Sequence, residues 1–206
     1  KLIVHLRQLI ALETATGEVL WQAETPARHG SPVAGRLGET SVVVTPAGAI
    51  VRAEDGEILA RDQFRLGHSS PLIHDDTVFA MEDGALKALG LRLSDGTDKK
   101  PMLPVQWEVQ SSRANRLASP LCHEGLVYCV TEQGILDVVD AKTGERVYRK
   151  RLDFDNGRID PSLCLAGGLI YLSSNRGTTI VMRPGREYEE IDRNSLADFK
   201  SRLFFS

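Results

Sequence analysis

The sequence has few of the features that identify membrane, nucleic-acid-binding or disulfide-stabilised proteins. Its 206 residues contain only three cysteines, which cannot form an even framework of disulfides, and no CxxC or histidine spacing predicts a zinc site. No apolar run approaches the ~18 residues that a membrane helix needs. The formal net charge of −3 gives no reason to expect a nucleic acid or an anionic membrane as partner. The remaining composition is that of an ordinary globular protein.

The short motifs of common enzymes are also missing. There is no P-loop, no glycine pattern of a dinucleotide-binding fold and no Ser/His/Asp order, and Gly167-Gly168 predicts only a hairpin turn. No signal peptide is visible. Because the chain opens with the strand-like residues Leu2-Ile3-Val4, we expect the natural N-terminus to lie further upstream. The sequence therefore predicts no catalytic constellation.

One short turn sequence recurs along the chain. Its clearest copy is DAKTGE at residues 140–145, set between two apolar runs. The other copies are ETATGE at 13–18 and EDGE at 54–57, with weaker ones at 94–97 and 184–187. Glycine supplies the positive φ of a tight turn, and the preceding acid can accept hydrogen bonds from the turn's own amides. The flanks have strand composition, so each copy predicts the last hairpin of a small antiparallel sheet.

A second marker precedes these copies. Ser31-Pro32, Ser70-Pro71 and Ser119-Pro120 match closely, and Asp160-Pro161-Ser162 matches loosely. Proline has no amide hydrogen, so it fits the first residue of a strand. Both markers recur every 39 to 49 residues. Because repeats of ~40–45 residues with four short strands are typical of propeller blades, the sequence predicts an all-β propeller of four-stranded antiparallel blades.

The markers divide one partial propeller domain, residues 1–206, into successive repeats. Their approximate bounds are 1–28, 29–66, 67–112, 113–156 and 157–194, with 195–206 as the start of a further blade. Repeat one has no Ser-Pro segment, so we expect it to lack its first strand. We expect the chain to be part of a ring of seven or eight blades. A five-bladed ring completed from both termini is the alternative.

These residues resemble a known family. The segment ALETATGEVLW at 11–21 resembles the tryptophan-docking repeat of pyrroloquinoline-quinone-like (PQQ-like) propellers, and residues 139–148 match it with tyrosine in the tryptophan place. In that family the docking tryptophans wedge neighbouring blades together. The resemblance implies this structural role for Trp21, Trp107 and Tyr148, and for the turn glycines Gly17, Gly56 and Gly144. Ala60 departs from the pattern, so its junction is expected to be looser.

The PQQ-like family contains enzymes and non-enzymes. The enzymes are quinone-dependent alcohol or sugar dehydrogenases that use calcium, and the other branch includes the periplasmic scaffold lipoprotein of the outer-membrane assembly machinery. Many alcohol-oxidising members hold the quinone near a disulfide between adjacent cysteines, and no two cysteines are adjacent here. Trp21 and Trp107 fall on predicted outer strands, too far from the channel to serve as a quinone platform. The resemblance therefore favours the non-enzymatic branch, with neither PQQ nor calcium expected.

The segments that lead from one outer strand to the next first strand are the candidate binding region. These lead-in segments all reach the same end of a propeller, and they carry His29, His68-Ser69, residues 113–116 (RANR) and residues 156–160 (NGRID). A ring of histidine and arginine around a channel mouth can bind an anion or an acidic peptide. The residues predicted to do so are His68, Arg116 and Arg158. Ordinary solvated loop residues are the alternative.

Two further sets of side chains are candidates for metal binding or cross-linking. His74-Asp75-Asp76 and His123-Glu124 lie on equivalent predicted turns, where carboxylates beside imidazoles suit a metal, although polar turn residues are the favoured interpretation. Cys122 and Cys164 occupy matching places on predicted first strands. We expect them to be small core-facing residues, with a bridge or a metal pair as the alternative. No metal ligand is predicted.

The predicted function is that of a rigid, non-catalytic scaffold that binds a protein partner in the periplasm or another exported compartment. The process suggested by the resemblance is envelope or outer-membrane protein assembly. The partner is expected to dock on one face of the disc or at an edge strand. A PQQ- and calcium-dependent dehydrogenase is the first alternative, and an extracellular sensor domain of a larger protein is the second. No nucleic-acid partner and no membrane span are expected for this chain.

Overall fold

The protein is built from β-strands. The computed structural model describes residues 1–82, 84–90, 104–111, 118–154 and 156–196. These residues form 19 strands in five sheets, and every strand pair whose register is described is antiparallel. Among the described residues, no helix has the length and apolar character needed to cross a membrane.

Within each sheet the strands follow one another in chain order. The first sheet has three strands, β1 (Leu2–His5), β2 (Leu9–Leu12) and β3 (Val19–Ala23). The second has β4 (Val33–Leu37), β5 (Thr40–Val44), β6 (Ile50–Arg52) and β7 (Ile58–Ala60). The third has β8 (Leu72–His74), β9 (Thr77–Glu82), β10 (Ala85–Gly90) and β11 (Val105–Gln110). The fourth has β12 (Leu121–His123), β13 (Leu126–Val130), β14 (Ile135–Asp140) and β15 (Arg146–Arg151). The fifth has β16 (Cys164–Ala166), β17 (Leu169–Ser173), β18 (Thr178–Arg183) and β19 (Glu189–Ser195).

The recurring outer turn has the predicted chemistry. Gly144 adopts φ +76° and donates its amide hydrogen to the Asp140 carbonyl over 2.9 Å. The Asp140 carboxylate accepts the amides of Lys142 and Thr143, each over 3.1 Å, and these bonds lower the pKa of Asp140. A register shift lies next to this turn, between Val138 and Val139. The same shift occurs in the first and second sheets, at Ala11/Leu12 and at Ile50/Val51.

A second repeated turn joins the two inner strands of the sheets, and sequence reasoning recognised only its glycine. In the second sheet the Thr45 hydroxyl accepts the Ala49 amide over 3.1 Å, and in the fourth the Thr131 hydroxyl accepts the Ile135 amide over 3.0 Å. Both threonines are fully buried. A buried hydroxyl that is hydrogen-bonded in this way fixes the turn without leaving an unpaired polar group inside the sheet.

The chain divides into two compact units. The first comprises Lys1–Glu82 with Lys87–Gln106, and the second comprises Asp83–Leu86 with Trp107–Ser206. Within the described residues, the first unit contains two apolar cores, one around Leu9, Trp21 and Val43 and one around Leu37, Phe64 and Leu66. The second contains one larger core, which includes Tyr128, Leu136, Phe154 and Ile170.

The first sheet has three strands, as the missing Ser-Pro segment of repeat one predicts. In the fifth sheet the register corrects the position of two markers. Cys164 pairs with Tyr171 as Leu121 pairs with Tyr128, so Leu163 stands at the place of Pro120 and the marker assigned to Pro161 is displaced by two residues. Gly185 is not among the glycines with positive φ, so it does not reproduce the tight turn of Gly144. The weak copy at 94–97 and the strand-like tail at 201–205 lie outside the described residues.

The same register corrects the interpretation of the cysteines. Cys122 pairs with Val127, which makes its equivalent in the fifth sheet Leu165 rather than Cys164. Because side chains alternate between faces, a shift of one residue places Cys122 and Cys164 on opposite faces of their sheets. Cys164 is exposed, so the expectation that it faces the core is wrong. The buried cysteine is Cys129, on β13.

Candidate functional site

The lead-in segments of the second and third sheets bring two histidines together. The imidazole rings of His29 and His68 are stacked, with centroids 4.7 Å apart and 14° between their planes. Both residues are exposed. Directly after the rings in sequence, the Ser31 amide donates to the Ser70 hydroxyl over 2.9 Å. A Cβ added at Gly30 would collide with the Ser69 carbonyl group, so the two backbones approach as closely as a glycine allows.

The second compact unit contains the same kind of contact. The Ser119 amide donates to the Ser162 hydroxyl over 3.0 Å, joining the lead-in segment of the fourth sheet to that of the fifth. In both units, therefore, a serine hydroxyl at the start of one sheet accepts a hydrogen bond from a backbone amide at the start of the preceding sheet. Sequence reasoning treated these serines only as markers of strand starts, and this tie was not predicted.

Arg158 is held by carboxylates. Its guanidinium forms ion pairs with Asp160 over 3.0 Å and with Glu132 over 3.0 Å, although half of its side chain remains exposed. The Arg158 amide donates to Asn175 Oδ1 over 3.0 Å, and the Asn175 amide donates back to the Arg158 carbonyl over 2.9 Å. The hydrogen bond to Asp160 raises the pKa of Arg158. The positive charge of this residue is therefore balanced within its own loop.

The predicted ring of cationic residues is only partly described. His68 lies in the first compact unit, next to a histidine that the prediction did not pair with it. Arg158 lies in the second unit, within its carboxylate network. Arg116 lies outside the described residues. Their joint role in binding an anion or an acidic peptide stays a prediction.

The contact between the first and second sheets, which we call the Trp21 seam, consists of Trp21, Ala53 and Gly56. The indole Nε1 donates to the Ala53 carbonyl over 3.2 Å, and Trp21 is only 8% exposed. Gly56 adopts φ +82°, and a Cβ added there would lie 2.8 Å from Trp21 Cε3. The indole ring therefore lies flat against the outer turn of the next sheet, where no side chain larger than hydrogen fits.

The Trp107 seam, formed by Trp107, Ala141 and Gly144, repeats this geometry in the second compact unit. Its indole Nε1 donates to the Ala141 carbonyl, again over 3.2 Å. A Cβ added at Gly144 would lie 2.7 Å from Trp107 Cδ2. Gly17 has the same φ as Gly144, +76°, but nothing lies within 4 Å of a Cβ added there. Among the described residues, Gly17 thus has the turn conformation of a docking glycine and no aromatic ring against it.

Tyr148 makes a different contact. It takes the tryptophan position on β15, pairing with Val138 as Trp21 pairs with Ala11, and packs against the core that includes Tyr128. Its hydroxyl is buried and has no hydrogen-bond partner among the described residues. Burial raises the pKa of Tyr148 far above the ordinary value of a phenol. That core also includes Ile170 and Ile180 of the fifth sheet, and we call the packing of Tyr148 against it the Tyr148 seam.

A buried carboxylate that sequence reasoning missed lies beside the Trp107 seam. Asp137, whose side chain is 3% exposed, accepts hydrogen bonds from Arg146 Nε over 3.0 Å and from Arg149 Nε over 2.7 Å. The Ser111 hydroxyl also donates to it. Arg146 in turn donates to the Gln110 carbonyl over 2.5 Å, which ties β15 to the end of β11. The signal in the sequence is an acid, Asp137, set between the apolar residues Leu136 and Val138 of the strand Ile135–Asp140.

These contacts determine the charge state of Asp137. Burial alone would raise its pKa, because a buried carboxylate loses its hydration. The hydrogen bonds from Arg149 and Ser111, together with the charges of Arg149 and Arg146, outweigh that effect and lower the pKa of Asp137 below its ordinary value. The carboxylate is therefore ionised at neutral pH and neutralised by two guanidinium groups.

The two acid–histidine turns do not form larger clusters. His74 Nε2 lies 3.3 Å from the Asp75 carboxylate, and His123 Nε2 lies 3.7 Å from that of Glu124. Asp76 accepts the Gly38 amide over 2.7 Å, so it ties two neighbouring turns together. In the part of the chain that the structure describes, no group of three or more histidine, cysteine or acidic residues is arranged to hold a metal ion.

Comparison with known proteins gives a family and a fold. The family model described as outer membrane protein assembly factor BamB matches residues 6–195 of the chain. The sequence matches none of the curated proteins. Among solved structures, BamB from Moraxella catarrhalis is similar with a TM-score of 0.64 at 19% identity, covering 95% of this chain and 59% of the BamB chain.

Two quinohemoprotein alcohol dehydrogenases share the fold as well. The enzyme from Pseudomonas putida has a TM-score of 0.62 at 13% identity, and that from Comamonas testosteroni has 0.58 at 13%. They are matched over 85% and 82% of this chain, which spans 35% of each enzyme. At these identities the likeness concerns the fold. It confirms the predicted β-propeller class, and the family match over residues 6–195 confirms the predicted PQQ-like repeat.

Proposed function

The chain belongs to the family of PQQ-like repeat propellers described as outer membrane protein assembly factor BamB, and we propose that it acts as a rigid, non-catalytic scaffold for a protein partner. The process we propose is the assembly of outer-membrane or other envelope proteins, in the periplasm or another exported compartment. The observation that carries the proposal is the family match over residues 6–195. The chain spans 59% of the Moraxella catarrhalis BamB chain, so the activity of the whole protein is part of the proposal.

The contacts in the described residues support a scaffold. The lead-in segments are tied by the Ser31–Ser70 and Ser119–Ser162 hydrogen bonds, and the Arg158 loop is held by Asp160. Loops fixed in this way lose little conformational entropy when a partner binds. The tryptophan seams add to this, because each packs an indole against a glycine turn of the next sheet. A stiff frame with preorganised loops suits protein recognition.

The fold likeness to quinohemoprotein alcohol dehydrogenases supports one competing function, a PQQ- and calcium-dependent dehydrogenase. The position of the aromatic residues argues against it. Both tryptophans of the chain lie on outer strands and donate their Nε1 hydrogens to backbone carbonyls of a turn. Neither can serve as a stacking platform for a quinone on the axis. Adding PQQ, calcium and an alcohol and measuring dye reduction would separate the two functions, since a scaffold should give no substrate-dependent signal.

The proposal is tested in the organism that encodes the chain. We expect deletion of the gene to lower the amount of folded outer-membrane proteins several-fold, measured by their heat-dependent mobility on gels. The intact gene should restore that amount. Alanine variants at the predicted binding residues His68, Arg116 and Arg158 should restore it less well than Lys142→Ala, a matched change on an outer turn. Normal outer-membrane protein levels in the deletion strain, together with dye reduction by the purified protein, would favour the dehydrogenase.

A further inference from the structure

We propose that His29 and His68 form a two-histidine site for Zn²⁺ or a similar transition-metal dication. Imidazole is the side chain that suits zinc, copper and nickel, and here two imidazoles from segments 39 residues apart lie in van der Waals contact. The sequence alone did not predict the pair, because the two rings become neighbours only through packing of the second and third sheets.

The two rings are available as ligands. Neither His29 nor His68 makes a hydrogen bond or ion pair within the described residues, and both are exposed. The other three histidines differ in this respect. His5 Nε2 lies 3.0 Å from the Thr25 hydroxyl, and His74 and His123 each lie beside a carboxylate. The ring nitrogens of His29 and His68 therefore do not have to break a hydrogen bond or an ion pair before they bind a metal.

The backbone beneath the pair is already in place. The Gly30 contact with the Ser69 carbonyl and the Ser31–Ser70 hydrogen bond follow the two histidines directly, one and two residues further along each segment. Bringing two distant ligands together is a large part of the free-energy cost of forming a metal site. Here the fold already holds the two histidines side by side.

The stacked arrangement is the metal-free geometry. A metal lies near the plane of each imidazole that binds it, and two parallel rings 4.7 Å apart cannot both satisfy this for one ion. Binding therefore requires the rings to rotate about their side-chain torsions, which exposed histidines can do between staggered wells. Two positions of a tetrahedral ion would remain for water or for a ligand from another molecule.

The proposal is tested by calorimetric titration of the full chain with ZnCl₂ at pH 7.5. A Cys164→Ser background removes the exposed thiol as a competing ligand. We expect one saturable site that His29→Asn or His68→Asn weakens roughly tenfold or more, because a single imidazole cannot chelate. His74→Asn is the matched control, a half-buried histidine beside an acid at the end of β8, and it should leave binding unchanged. Circular dichroism checks that each variant is folded.

A further measurement sharpens the test. In a histidine-selective NMR spectrum, Zn²⁺ should shift the ring signals of His29 and His68 together and leave those of His74 and His123 in place. Absence of a saturable heat, or binding that survives both asparagine substitutions, would overturn the proposal.

Discussion

The Trp21 seam and the Tyr148 seam show how much an aromatic contact between sheets depends on the turn that receives it. Trp21 finds a carbonyl for its N–H and a glycine with positive φ beneath its ring. At the corresponding place in the fifth sheet the turn carries Pro184, and its Gly185 lacks the positive φ. Among the residues that the structure describes, the buried Tyr148 hydroxyl has no hydrogen-bond partner. An aromatic ring packs in both seams, buried at Trp21 and half-buried at Tyr148, but within the described residues only the Trp21 seam pairs the polar group of its ring.

The difference indicates that the docking of an aromatic ring on the next sheet depends on three residues at once. The aromatic residue supplies the area, the glycine lets it approach, and the carbonyl two residues beyond the register shift accepts its hydrogen. The Trp107 seam has all three and adds the Asp137 cluster, whose equivalent position in the second sheet is the small residue Ala49. We therefore expect the tryptophan seams to be more sensitive to substitution than the Tyr148 seam.

The largest expected effect is at the Trp21 seam. Trp21→Ala should lower the free energy of unfolding by about 3–5 kcal/mol, because it removes a large buried side chain and leaves a cavity. Trp21→Phe keeps most of the area and loses the bond to Ala53, so it should cost about 1–2 kcal/mol. Urea denaturation followed by circular dichroism measures both. If Tyr148→Ala were as costly as Trp21→Ala, the proposed difference between the seams would be wrong.

The next effect sharpens the role of the receiving glycine. Gly144→Ala should destabilise the protein by about 2–4 kcal/mol, because the new methyl group meets the Trp107 ring and the backbone keeps a positive φ. Gly17→Ala is the matched control, with the same φ of +76° and open space around the added Cβ. It should cost only the conformational penalty, about 1–2 kcal/mol. Equal losses in thermal denaturation would show that the ring contact contributes nothing.

The third effect is a difference between the two tryptophan seams in how stability depends on pH. Because folding lowers the pKa of Asp137, its carboxylate stabilises the folded state at pH values above its unfolded pKa, about 4. This contribution is lost as the pH falls through the lower folded pKa. Asp137→Asn should cost about 2 kcal/mol at pH 7, since two arginines lose a buried charged partner. The variant should also lose less unfolding free energy than the unmodified protein between pH 5 and pH 3. An equal loss in both proteins would contradict the lowered pKa of Asp137.

Much of the architecture was predictable because the turns are chemically demanding. A position with positive φ favours glycine, and the free amides of the turn favour an acid that can accept their hydrogen bonds. The turn at residues 140–145 can therefore be recognised from its local sequence alone. The fifth repeat shows the limit of this reasoning. Pro161 and Gly185 have the right identities at nearly the right spacing, and both stand at the wrong place in the ladder. Register depends on pairing across the sheet, which spacing along one chain does not fix.

The candidate site was less predictable for a related reason. The stack of His29 on His68, the tie from Ser31 to Ser70 and the neutralisation of Arg158 by Glu132 all join residues from different segments. A single sequence shows that such residues are present and roughly which end of a sheet they occupy. It does not show which of them meet, because their contacts are set by the packing of one sheet on the next.

The smallest expected effect is at the Tyr148 seam, where it separates the contribution of the buried ring from that of the hydroxyl group. Tyr148→Phe keeps the ring and removes a buried hydroxyl that has no hydrogen-bond partner in the described part of the chain. It should therefore change the unfolding free energy by no more than about 0.5 kcal/mol, and should stabilise rather than destabilise. The matched change at the Trp21 seam, Trp21→Phe, removes a satisfied donor and should destabilise. Opposite signs for the two substitutions in parallel urea titrations would show that the seams differ in their polar groups. A clear loss of stability in Tyr148→Phe would mean that the phenol does make a hydrogen bond, and the contrast between the seams would then lie in the glycine alone.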